Sequence, residues 1–305
     1  MGMTPFPHGI TSFGVPVIPN QEKPFAGKVF FVGATAGLDW VAGVDAADNG
    51  TKQKPFASID YAIGQCTANN DDVIYVLPGH TENIGAASAI TCDVAGVSII
   101  GLGKGKKRPL LTYTATAGTI VVSAANVSIK NILLTAGIDE VVLCLSITGD
   151  DCTLDAVDYY ESSASYNCIS FATITGDFCT IKNCHHTQTT APAANSPWVT
   201  LNAAQDFKML NNFMWVNTTN NSGSGILHGA TAASLRMFVA YNLLASPAGT
   251  TAVPVKLYAG STGLIAWNGL AGLQSGGLAP GNCWCFENYT VQTVAKSGIL
   301  DPATS

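Results

Sequence analysis

This sequence has little charge. Asp, Glu, Lys and Arg make up 11% of its 305 residues, against about 25% in an average soluble protein. Arginine occurs only at Arg108 and Arg236. Fourteen basic residues against twenty acidic ones leave a net charge of −6, which argues against a broad nucleic-acid-binding face. No run reaches the ~18 consecutive apolar residues of a membrane span. Neither nucleic acid nor membrane is therefore expected as a partner. Residues 1–20 lack a basic segment and a continuous apolar stretch, and Pro5, Pro7, Pro16 and Pro19 interrupt them. No secretion signal is expected there. Zinc-ligand spacing is also missing, since Cys283 and Cys285 have no second pair to complete a site. No metal and no cofactor is expected. The nine cysteines read instead as mostly buried thiols of a chain made in a reducing cytoplasm. Disorder is excluded for the bulk of the chain, because 47% of the residues are hydrophobic and charge is low.

What is present is a repeat. An apolar–polar–apolar triplet returns as Val97-Ser98-Ile99, Val127-Ser128-Ile129, Cys152-Thr153-Leu154, Cys179-Thr180-Ile181, Phe207-Lys208-Met209 and Leu235-Arg236-Met237, with a degraded copy at Leu264-Ile265-Ala266. The mean step is about 28 residues. Each triplet follows a second short alternating run and a small-residue turn, as in Leu145-Ser146-Ile147 before Gly149-Asp150-Asp151. Period-two alternation marks half-buried strands. Helical repeats of similar length are disfavoured by the abundance of Gly, Thr, Asn and β-branched residues. A unit this short cannot bury its own apolar face, so the units must stack, each strand pairing in parallel with its copies. The expectation is an all-β, right-handed parallel β-helix of seven to eight rungs, a column roughly 35 Å long.

Stacking assigns structural roles to residues that otherwise look chemical. Val127, Cys152, Cys179 and Phe207 form one inward ladder, with Cys152 and Cys179 as stacked thiols rather than a disulfide or metal pair. Asn131, Asn183 and Asn211, followed by Asn242 and Asn268, recur near one corner, where Asn tolerates left-handed backbone and can bond along a ladder. Lys130, Asp155 and Lys182 predict an outward charge ladder. Trp198, Trp215 and Tyr241 are expected on outward faces. The basic run Lys104, Lys106, Lys107, Arg108 reads as a solvated loop between rungs. His185 and His186 lie just past a strand, and since adjacent residues in extended chain face opposite ways they are not expected to share a metal.

Both ends of a solenoid need caps. Phe56, Ile59, Ala62 and Ile63 share one face of a short helix that Gly64 can stop, and Asp72 to Gly79 reads as a buried first strand and turn. The organisation is then an arm over 1–24, an N-terminal cap over 25–72, the β-helix over 73–275 and a C-terminal cap and tail over 276–305.

The strand Lys28 to Val32, the loop to Gly50, Pro55 to Ile59, Asp72 to Gly79, and Ile99-Ile100-Gly101-Leu102-Gly103 before Arg108-Pro109 resemble the opening of pectate-lyase-like right-handed β-helix proteins. The resemblance covers roughly residues 25–275 and speaks to fold more than activity. The first 24 residues are similar to the arms of tailed-phage virion proteins that carry a β-helix, as is the tail from Glu287 to Pro302. This resemblance implies a capsid decoration or cement protein, a homotrimer on the outer surface of the virion head, made in the host cytoplasm. Its partner would be the major capsid protein, contacted through Phe6, Pro7, Ile10, Phe13, Val15, Pro16 and Val17, in an arm whose four prolines preset extended geometry. The alternative is a tail-fibre or tailspike protein that binds or depolymerises glycans. An enzyme of that kind needs paired carboxylates, or a Ca²⁺-binding carboxylate cluster with an Arg or Lys base, on one face. The candidates are Asp150, Asp151, Asp155, Asp158, Glu161 and Asp177, with Leu227-His228-Gly229 farther along. Asp150 and Asp151 fall in a tight turn, His228 lies three rungs away, and Asp155 and Asp158 are expected on opposite sides of a strand. No catalytic residue is therefore assigned, and the chain is not expected to be an enzyme.

Overall fold

The structure is a computed structural model that describes residues 27–37, 39–194, 196–217, 224–246, 253–272 and 278–291, together with short strands at 11–12, 15–16 and 298–299. The arm residues Phe6, Pro7, Ile10, Phe13 and Val17 lie outside the described residues. Val15–Pro16 is described only as a strand pairing antiparallel with Thr11–Ser12.

The chain is a parallel β-solenoid, as the repeat requires. Each full rung carries three strands on three faces. On the first face, the strands starting at Ser98, Ser128, Thr153, Thr180, Lys208, Met237 and Gly263 stack in parallel register. Val29–Val32 and Val73–Val76 precede them, and Trp284–Phe286 follows. The third face is an eight-stranded sheet running from Ile90–Cys92 to Leu278–Ala279. Between these two lies a second face, including His185–Gln188, Phe213–Val216 and Leu243–Ser246. The repeat expects two strands per unit, and this third one is additional.

The reason for the miss is a corner. Asn131, Ala156, Asn183, Asn211, Tyr241, Trp267 and Glu287 each adopt positive φ, between 45° and 59°, at the junction of the first and second faces. A left-handed residue turns the chain and resets the in–out alternation. In Thr153–Tyr160 the inward residues are Leu154, Val157 and Tyr159, so Asp155 and Asp158 both face outward. This corrects the expectation that they point to opposite sides.

The corner also separates two asparagine ladders that the sequence reading had merged. Asn131, Asn183 and Asn211 are the left-handed corner residues. Asn242 and Asn268 belong one position further on, with Asn212 and Asn288, in a buried internal ladder. There the Oδ1 of Asn242 accepts from the backbone N and Nδ2 of Asn212 at 3.0 and 2.8 Å. The Oδ1 of Asn268 accepts the same pair from Asn242 at 3.0 and 2.9 Å. Each Nδ2 also donates to a carbonyl of the preceding rung, as Asn242 does to Met209 O at 2.8 Å. Every polar atom of the amide is satisfied without water, which is what makes its burial tolerable.

Val127, Cys152, Cys179 and Phe207 occupy one buried inward column. The ladder continues through Met237 rather than Leu235, since Lys208 pairs with Phe238. Its next member is Gly263 rather than Leu264. Trp198 is fully buried in the core, which overturns its assignment to an outward face, whereas Trp215 and Tyr241 are exposed. The tryptophan is held inside by its ring nitrogen, which finds a buried acceptor in His186 Nδ1 at 2.8 Å. At the N-terminal end the helix Ile59–Gly64 buries Ile59, Ala62 and Ile63. Ser58 caps it, accepting from Tyr61 N at 3.3 Å. Phe56 lies before the helix and bridges to Val32.

Candidate functional site

Of the candidate carboxylates, Asp150, Asp151, Asp155, Asp158 and Glu161 lie around one rung and Asp177 on the next; all but the exposed Asp151, whose φ is 55°, accept hydrogen bonds from a neighbouring rung. Asp150 and Asp177 lie in the turns between the third and first faces. Asp150 Oδ1 accepts from Asp177 N, and Asp177 Oδ1 accepts from Gln205 N, both at 2.8 Å. Each carboxylate thus caps the turn of the next rung. Asp155 accepts from Asn183 Nδ2 at 2.7 Å and pairs with Lys182 at 3.5 Å. Its strand register places it between Lys130 and Lys182, in the outward charge ladder. Glu161 accepts from the backbone of Thr189 and Thr190, both at 2.9 Å, and from the Thr189 hydroxyl. Burial pushes the Glu161 carboxyl up, but these bonds outweigh it and hold the group below the usual carboxylate range.

Asp158 is the most developed of the set. Its Oδ1 accepts from His185 N at 2.8 Å, and its Oδ2 takes the Arg108 guanidinium at 2.5 Å. Arg108 is delivered by an expanded corner, residues 102–109, in which Gly103 and Gly105 take positive φ. That loop, with Lys104 and Lys106, lines a groove of about 830 Å³ together with Leu110, Leu133 and Tyr160. The groove combines unpaired surface lysines, an anchored ion pair and an aromatic ring. It could hold an anionic group beside Leu110 and Leu133. Asp158 is the one carboxylate of the candidate set that lines it.

His185 and His186 point opposite ways. His185 is exposed and meets Phe213 edge-on at 4.6 Å. His186 is buried, and its ring lies 4.1 Å from that of Phe171. His228 stands in register with Thr200 and Lys256 on the third face, and burial and then Lys256 lower its pKa. Register places it three rungs from Ser146, hence from the Asp150 turn, about 14 Å along the axis. Among the described residues, no three His, Cys, Asp or Glu side chains gather into a metal-holding group. Three features were beyond sequence reasoning: the Arg108–Asp158 pair, the groove, and the buried Asn212 and Asn288. Arg108 and Asp158 are 50 residues apart, and only the two-rung offset of the expanded corner unites them.

No family model matches this sequence. No curated protein matches it. Among solved structures, a rhamnogalacturonan lyase is similar, with 13% identity and a TM-score of 0.45, over 80% of this chain and 74% of that one. The chain itself is established as a parallel β-solenoid by its own strand register.

Proposed function

We propose that this chain is a structural protein of a tailed-phage virion, a decoration protein on the outer surface of the head that binds the major capsid protein through its N-terminal arm and cements the shell. The observation that carries this reading is the use of its carboxylates. Asp150, Asp155, Asp158, Glu161 and Asp177 each fasten one rung to another, so the acidic groups serve rigidity rather than turnover. A stiff column with little charge suits burial against neighbouring subunits. Cementing would work by bridging capsomers, so that expansion or rupture of the shell must first break the bridges. The test is co-sedimentation with capsids stripped of the protein. The full chain is expected to pellet with them, and a chain lacking residues 1–24 to stay in the supernatant while keeping the β-sheet circular dichroism of the column. Equal binding by the truncated chain would remove the arm as anchor.

The groove lined by Lys104 and Lys106 favours a second reading, a tail-fibre or tailspike protein that binds a glycan. Under that reading host polysaccharide binds the column, and release of reducing ends is lost in Asp155→Asn and Asp158→Asn variants.

A further inference from the structure

The outward columns of the solenoid change character at one height. On the first face, the column Ser128, Thr153, Thr180, Lys208 gives way to Phe238, Leu264 and Trp284. Its neighbour runs Lys130, Asp155, Lys182 and then Leu210, the covered Ala240 and Ala266, and Phe286. At the corner, Asn183 and Asn211 give way to Tyr241 and Trp267, before Glu287 on the last rung. On the second face, Asp158 and His185 are followed by Phe213, Leu243 and, past Gly269, Tyr289. Four independent columns switch from polar to apolar within about two rungs of each other. Around this corner the C-terminal half of the solenoid is aromatic.

These rings are exposed. Trp284 is 81% accessible, Tyr241 54%, and Phe286 and Tyr289 about half. Phe213, Trp215 and Leu243 add to the same surface. Tyr241 and Trp267 lie parallel at 5.0 Å, with Phe286 edge-on to Trp267 at 5.8 Å. The Trp267 Nε1 donates to Glu287 at 3.0 Å, so its one polar group is occupied within the chain. Six aromatic side chains at about half exposure, each with roughly 150–250 Å² to bury, and Leu243 beside them present on the order of 700 Å². That exceeds the ~300–600 Å² of the largest patch on a typical monomer and approaches the ~800 Å² per partner of a standard interface.

We propose that this aromatic corner is where copies of the chain meet. Three properties select a second copy as occupant. The area matches what one partner of a stable interface contributes. The patch is poor in charge, as interface centres are, so it offers nothing to steer an ionic ligand. It also lies on the convex outside of a tube, where it can abut a like surface but cannot enclose a small ligand in the concave manner of ligand pockets. The trimer implied by the resemblance is one such assembly. The inference needs no capsid contact and stands apart from the decoration reading.

The experiment is sedimentation equilibrium on the full chain, on Tyr241→Glu/Trp284→Glu, on Lys130→Glu from the polar half, and on a chain lacking residues 1–24. The wild type is expected at a multiple of the 31.6 kDa chain mass. The double variant should associate at least ~100-fold more weakly, in keeping with buried aromatic anchors at interfaces, with unchanged circular dichroism. Lys130→Glu and the truncated chain should keep the wild-type mass. Three results overturn the proposal: a wild type that is monomeric at about 100 µM, an oligomer indifferent to the double variant, or an oligomer lost on removal of residues 1–24. Should the double variant misfold, Tyr241→Ser/Trp284→Ser gives the same reading.

Discussion

Acid should weaken this column through one histidine. His186 lies in the core with no solvent access. Its Nδ1 accepts from Trp198 Nε1 at 2.8 Å, which leaves the proton on Nε2, donated to Val157 O at 2.9 Å. Protonating Nδ1 would set donor against donor beside Trp198 and place a charge among Phe171, Tyr159 and Trp198. Burial accordingly pushes the His186 pKa down to about 4, against an ordinary value of 6.5. Above pH 6.5 the ring is neutral in both folded and unfolded chains and the stability is fully present. As pH falls below 6.5 the unfolded chain binds a proton that the native chain refuses. Stability then drops by about 1.4 kcal/mol for each pH unit, until the folded ring titrates near pH 4, a total loss of roughly 3 kcal/mol. The assay is urea unfolding at pH 7, 6, 5 and 4 for the wild type and His186→Gln, whose amide can still accept from Trp198 and donate to Val157. His228 and the carboxylates are common to both proteins and cancel in the difference. The wild type should lose roughly 3 kcal/mol more than the variant between pH 7 and pH 4. Parallel stability curves over that range would refute the reasoning.

Asn242→Leu should destabilise the column by about 2–4 kcal/mol, because it leaves the buried Asn212 backbone N–H without its acceptor and removes the side-chain donors to Met209 O and Asn268 Oδ1; thermal and urea melts measure this. Asp158→Asn should cost about 1–3 kcal/mol by weakening the hold on Arg108, with no matching loss in Lys182→Gln, whose partner Asp155 keeps the Asn183 bond; paired urea melts would show the contrast. Thiol chemistry should be slow in the native state. Burial pushes Cys66, Cys184 and Cys283 up to about 12 and Cys285 to about 11, so at pH 8 iodoacetamide should label the folded chain slowly and all nine cysteines after denaturation, as counted by mass spectrometry.

The stacking itself was legible in the sequence because period-two alternation survives wherever a strand is uninterrupted, as in Val127-Ser128-Ile129 over Cys152-Thr153-Leu154. It failed where one left-handed residue reset the phase. Asn183 and Asn211 announced that corner, since Asn is a natural occupant of left-handed backbone. Ala156, Tyr241 and Trp267 did not, and the strands after them read as loop. The same slip merged Asn242 with Asn211, although one is buried in a ladder and the other turns the chain. Trp198 read as outward because its acceptor, His186, lies across the interior of the same turn, on a second-face strand that the repeat did not reveal. The carboxylates were visible as residues, but their purpose was not: the partner of each sits some 27 to 50 residues away.

The uniform exit of every rung has a consequence for the length of the molecule. Thr180 and Lys208 occupy the same place one layer apart, so excising the 28 positions from one to the next would rejoin the chain at an equivalent point. Nothing in the backbone geometry above or below would need to rotate. The particle would shorten by about 4.8 Å, and the polar and aromatic halves would move closer together. Height in such a molecule is therefore quantised, adjustable in whole layers, while the outline seen down the axis stays the same.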